Sequence, residues 1–157
     1  MKVKKNMIIA AILIVLGIFV YFKFVRINPN TTFESTKIKI RANIYSIEIA
    51  KTTSQLALGL GNRQVLCSNC GMIFIFPFEG SLPFWMKDTL IPLDMIWVNS
   101  QNKIVSIQTA QPEIGTSDLN LKQYKNDTPA KYVIELNAGK STELNIKVGD
   151  TIDIPKL

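Results

Sequence analysis

Lys87, Asp88 and Asp94 are the residues best placed to do chemistry, because the sequence sets them in its most aromatic stretch. Residues 71–98, GMIFIFPFEGSLPFWMKDTLIPLDMIWV, gather Phe74, Phe76, Phe78, Phe84, Trp85 and Trp97 around them, with Glu79 as a further acid. A carboxylate enclosed by apolar rings has a raised pKa and can hold or hand on a proton, while flat rings beside a few polar groups can stack a ligand. The chain has no histidine. That removes the commonest general base, the nucleophile triads that use one, and most zinc sites, so acid–base work falls to Asp88, Asp94, Glu79 or Lys87.

Each of these residues also has a purely structural reading. Asp94 follows Pro92 and shares a strand face with Ile96 and Val98. There it can accept backbone N–H groups of the Ile-Pro-Leu turn or pair with Arg63. Alternation along FWMKDT puts Trp85 and Lys87 on one face and Phe84, Met86 and Asp88 on the other, so Lys87 and Asp88 share a cavity only across a bend. A structural ion pair serves them equally. Trp85, Phe84, Phe78 and Trp97 suit core packing as well as a stacking platform. Phe78, between Pro77 and Pro83 with Gly80 inside, suits an exposed loop acting as rim or lid. The candidate ligand-binding set is therefore Arg63, Phe78, Trp85, Lys87, Asp88 and Asp94, with no residue assigned a catalytic role.

Cys67 and Cys70, in CSNC, are the only cysteines. Their spacing permits a small disulfide loop in an oxidising compartment. Inert thiols, thiol redox and a metal shared between chains are the alternatives. The pair precedes a strand rather than opening a helix, and no other Cys or His completes a metal site within one chain, so neither a metal nor a cofactor is expected.

The elements that must position these groups are mostly strands. Residues 37–50 alternate apolar with polar positions, with a turn at 41–43. TTSQLALGLGNRQ suits a short helix capped at 52–54 and ended by Gly59 or Gly61. Strands follow over 71–76, 84–88, 94–99 and 103–109, the last two joined by a hairpin at SQN. Residues 110–130 form a long polar connection. The close reads as a strand, a short helix starting near Ala138, a VGD turn and a final strand. The expected fold is strand-dominated α+β: a twisted antiparallel sheet or partial barrel with two short helices, preceded by one N-terminal transmembrane helix.

The net charge of +6 belongs to that N-terminus. Five of the eighteen basic residues precede Ile27, leaving thirteen basic against twelve acidic residues in the body. Nucleic-acid binding thereby loses its main support. Residues 7–22 are uncharged, and at about 1.5 Å per residue they span roughly 24 Å, a little under a hydrocarbon core of about 30 Å. Snorkelling by Lys23 and inclusion of Phe24 and Val25 complete the crossing. YFKFVRINPN offers no A-x-A-like cleavage pattern, which favours an uncleaved anchor over a secretory signal. Residues 1–26 are read as the anchor, 27–36 as a linker and 37–157 as the domain. The lysines before the span orient the domain outside the cytoplasm.

Taken in order, GLGNR at 59–63, GMIFIFP at 71–77, FWMKDTLIPLD at 84–94, YVIELNAG at 132–139 and VGD at 148–150 resemble the DUF192 family over roughly residues 44–154. The resemblance implies a small β-rich domain, often behind a signal or anchor, whose biochemical role is unassigned. The chain departs from the family at Gly61, where methionine is usual, and in PEIGTSDLNL, which lacks a cysteine pair that members often carry.

These readings converge on a single-pass, envelope-anchored module that touches the bilayer through residues 7–22 and binds a small molecule, an envelope polymer or a partner, with no nucleic acid. The alternative is a carboxylate-dependent hydrolase or lyase acting on envelope carbohydrate, which needs two acids facing one cleft about 5–10 Å apart. The orientation carries its own test. Protease added to intact cells is expected to digest the domain and spare the N-terminus, and protection of the domain would reverse the assigned topology.

Overall fold

The alternation over residues 37–50 folds as a hairpin in the computed structural model, which describes residues 31–157. β1 (Glu34–Ile40) and β2 (Asn43–Ala50) pair antiparallel, and Arg41 takes a left-handed φ of 57° at the turn. The expected membrane span and the first four residues of the linker, 27–30, lie outside the described residues. Among the described residues no helix is long and apolar enough to cross a membrane.

From Ala50 the chain crosses over through α1 (Thr53–Leu58) and returns as β3 (Cys70–Gly80), parallel to β2. Parallel neighbours need such a crossover, and this one is well made. Thr52 accepts a hydrogen bond from Gln55 N–H, the Gln55 side chain accepts from the Thr52 N–H in return, and Gly59 ends the helix at φ 49°. β4 (Leu93–Val98) and β5 (Ile104–Ala110) form the second hairpin, and β6 (Ala130–Asn137) inserts antiparallel between β3 and β4. The six strands lie in the order β1-β2-β3-β6-β4-β5. α2 (Lys140–Glu143) is a single turn.

The sheet is thus mixed rather than antiparallel throughout, because the α1 crossover brings β3 back in the direction of β2. Three other expectations change. Residues 84–88 form no strand, only a bridge between Phe84 and Tyr124. β3 does not stop at Phe76 but runs on to Gly80 past a register shift. The expected last strand reduces to two bridges, Thr151 to Lys103 and Asp153 to Lys39, so one segment touches β1 and the residue before β5.

Register is written in isoleucine. Ile49, Ile73, Ile134, Ile96 and Ile107 lie in one row across β2, β3, β6, β4 and β5. They face a core completed by Ile38, Tyr45, Ile47 and Leu136. The opposite face packs Met72, Phe74, Met95, Trp97 and Val133 under Leu60, Met86 and Ile91. Both faces of the central strands are covered, as expected where residues run apolar without alternation.

Gly71 shows how tightly β3 and β6 approach. A Cβ there would stand 2.5 Å from the Glu135 carbonyl oxygen, 2.7 Å from Leu136 Cδ2 and 2.9 Å from Ile47 Cδ1. Gly71→Ala is therefore expected to destabilise the domain by about 2 kcal/mol through overpacking. Urea unfolding reads this directly, and an unchanged midpoint would contradict the packing described.

Candidate functional site

The expected site residues separate in space. Asp94 is 0% exposed, and its carboxylate accepts hydrogen bonds from Thr109 Oγ1 at 2.7 Å and from Ser141 N–H and Oγ at 2.8 and 2.6 Å. Its partners are therefore β5 and α2, not the Ile-Pro-Leu turn or Arg63. Arg63 instead forks Glu48 at 2.7 and 2.6 Å, and that pairing raises the guanidinium pKa. Lys87 pairs with Asp118, not with its neighbour Asp88. Asp88 is exposed and holds a left-handed φ of 54°, and its carbonyl accepts the Asn62 N–H at 2.7 Å. Glu79 lies at the surface, where the Ser100 N–H lowers its pKa. Phe78 is 81% exposed on the outer end of β3.

Two hollows flank the 84–89 turn. The first, about 130 Å³, is bordered by Lys87, Asp88, Glu113 and Asp118. Glu113 accepts the Lys122 N–H with one oxygen, while its other oxygen is buried without a partner.

The second is a cleft of about 170 Å³ and is the more distinctive. One wall is the end of α1 and the turn after it, residues 56–60; the other is Pro83, Phe84 and Trp85. Phe74 and Phe76 from β3 join them. The Phe84 ring stands edge-on to Phe74 at 4.9 Å and 88° and to Phe76 at 6.2 Å and 75°, so the rings meet almost at right angles. Trp85, 54% exposed, borders the opening. Trp97 is fully buried and donates its Nε1–H to the Leu82 carbonyl at 3.0 Å, which fixes the approach to this loop. Gly59 has steric work here too, since a Cβ on it would meet the Phe74 ring at 3.1 Å.

At the base of the cleft lies Glu135, which the sequence reading did not single out. It is 4% exposed, and among the described residues no hydrogen bond or ion pair reaches its carboxyl. Burial alone pushes its pKa up to about 8. Strand pairing sets it between Met72 on β3 and Met95 on β4. The available signal was an acid inside the apolar run Tyr132–Leu136 of a central strand, where both faces are expected to be covered.

Two residues further along β6, Asn137 donates its amide to the Leu66 and Cys67 carbonyls at 3.2 and 3.0 Å. This docks the segment in which Cys67 and Cys70 are joined by a disulfide. Among the described residues no group of three or more acids or thiols is placed to hold a metal.

The chain's likenesses match this geometry in fold. A Sinorhizobium meliloti 1021 crystal structure, provisionally described as a transcription regulator, is similar at 29% identity and a TM-score of 0.67, over 78% of this chain and 93% of that one. A Novosphingobium aromaticivorans DSM 12444 crystal structure, described as a protein of unknown function, is similar at 27% identity and a TM-score of 0.66, over 83% of this chain and 91% of that one. No curated protein matches the chain. The family model that matches, over residues 35–154, is DUF192, described as Uncharacterized ACR. The chain belongs to the DUF192 family.

Proposed function

We propose that the domain is a small-molecule-binding module, held outside the cytoplasm by the N-terminal anchor, that seats its ligand in the cleft between residues 56–60 and the Phe84–Trp85 wall. The observation that carries this reading is the Glu135 carboxyl, buried at the cleft base with no partner among the described residues. A carboxyl removed from water without hydrogen bonds costs a few kcal/mol. Such a group, walled by aromatic rings beside an opening, is poised to meet a ligand's polar atom. Trp85 is the expected site residue that lines this cleft. Lys87 and Asp88 border the neighbouring hollow, where they can contribute to a larger ligand's outer contacts.

A two-acid hydrolase finds weaker support. Glu135 is the single acid among the cleft-lining residues described, and Asp94 is engaged by Thr109 and Ser141. The regulator description attached to the S. meliloti neighbour gains little from this chain, whose body is close to charge-balanced.

Two measurements test the assignment. The first concerns Glu135 itself. Below about pH 4.5 the carboxyl is protonated whether the chain is folded or unfolded. Between about 4.5 and 8, unfolding releases its proton, so rising pH favours the unfolded chain by up to about 1.4 kcal/mol per unit; above 8 the dependence ends. Glu135→Gln is expected to flatten that part of the pH–stability curve, and an unchanged curve would deny Glu135 its perturbed state. The second is a fragment screen read by amide chemical shifts. Hits are expected to move residues 56–60 and 84–89, with Trp85→Ala weakening them about tenfold. Hits confined to other surfaces would move the site elsewhere.

A further inference from the structure

We infer that the ligand of this cleft is a small alkylammonium cation, its charged head boxed by Phe74, Phe76, Phe84 and Trp85 above the Glu135 carboxylate. The inference rests on the cleft reading above and adds the chemical class of the occupant.

Charge complementarity is the first argument. Glu135 is the one ionisable residue lining the cleft among those described, so nothing in the wall can neutralise it. The groups around it are Met72 and Phe74 from β3, Met95 and Trp97 from β4, residues 56–60 after and within α1, and Thr89 from the turn. None of them titrates. A positive partner for its ionised form has to come from outside the cleft wall.

The walls point the same way. Aromatic faces carry negative quadrupole density and attract a cation, most strongly when water is excluded. Phe84 stands nearly perpendicular to both Phe74 and Phe76, so the three rings enclose a corner from different directions. An anion finds no lysine or arginine here. A sugar finds few hydrogen-bonding groups, because the one lining hydroxyl, Thr89 Oγ1, already donates to the Lys87 carbonyl at 3.2 Å. At about 170 Å³ the space also falls below the roughly 300–1,000 Å³ of drug-sized pockets, which suits a compact head group.

Proton bookkeeping gives the inference its signature. With the cleft empty, burial holds Glu135 protonated at neutral pH. A cation favours the carboxylate, so binding displaces one proton to solvent. Its affinity therefore rises about tenfold per pH unit up to about pH 8 and then levels. A neutral ligand that accepts a hydrogen bond from the protonated acid keeps a constant affinity up to about pH 8 and loses it above.

The test compares choline with its uncharged isostere 3,3-dimethylbutan-1-ol, using the full-length chain in a maltoside detergent. Binding is followed by tryptophan fluorescence and by calorimetry in two buffers of different ionisation heat. Choline is expected to bind at least tenfold more tightly than the isostere at pH 9, with about one proton released per cation at pH 7. Glu135→Gln is expected to lose both the preference and the pH slope. Should that variant not fold, the wild-type comparison decides alone. If the isostere binds as well as choline, the cation assignment falls and the cleft stands. If neither ligand changes the signal at millimolar concentration, the cation assignment falls as well, and the fragment screen decides the cleft separately.

Discussion

The row of isoleucines across β2, β3, β6, β4 and β5 fixes everything built on the sheet. Side chains alternate along a strand, so a slip of one residue would send the whole row to the other face. With Ile134 committed to one core, Glu135 is committed to the opposite one. Met72 and Met95 flank it, and the face it occupies opens to solvent only where the cleft does. The buried acid follows from the register.

Asp94 shows what the fold does with an acid it keeps for itself. It lies one place along on β4, opposite Leu136, and three donors from β5 and α2 satisfy it. That arrangement ties the single-turn helix after β6 to the second hairpin. The two acids are both buried, on adjacent strands but on opposite faces of the sheet. One is saturated with hydrogen bonds, while among the described residues none reaches the other.

Much of the fold could be read from the residues alone. The β1–β2 and β4–β5 hairpins, the capping box at Thr52 and the Gly59 stop follow local rules, because turn geometry and caps act over a few neighbours. The parallel β2–β3 pairing did not follow, since pairing across a crossover depends on contacts far apart in sequence. Residues 84–88 alternate like a strand, yet the left-handed Asp88 and the buried Trp97 hold them as a turn. The site was half legible. Its aromatic walls were plain in composition, but attention to the acids beside those rings passed over Glu135, roughly forty residues further on, which only the sheet brings beneath them. Arg63 and Lys87 found acids on other elements for the same reason.

The join between the two sides of the cleft is made of main chain. Asn62 and Asp88, both in left-handed conformations, connect the turn after α1 to the aromatic turn through one N–H to carbonyl bond. Because no side-chain atom takes part, the rings and the acid can be exchanged while the frame around them keeps its shape. Divergent members of the fold can thus acquire new tastes in cargo by swapping upholstery, with the hinge pins left where they are.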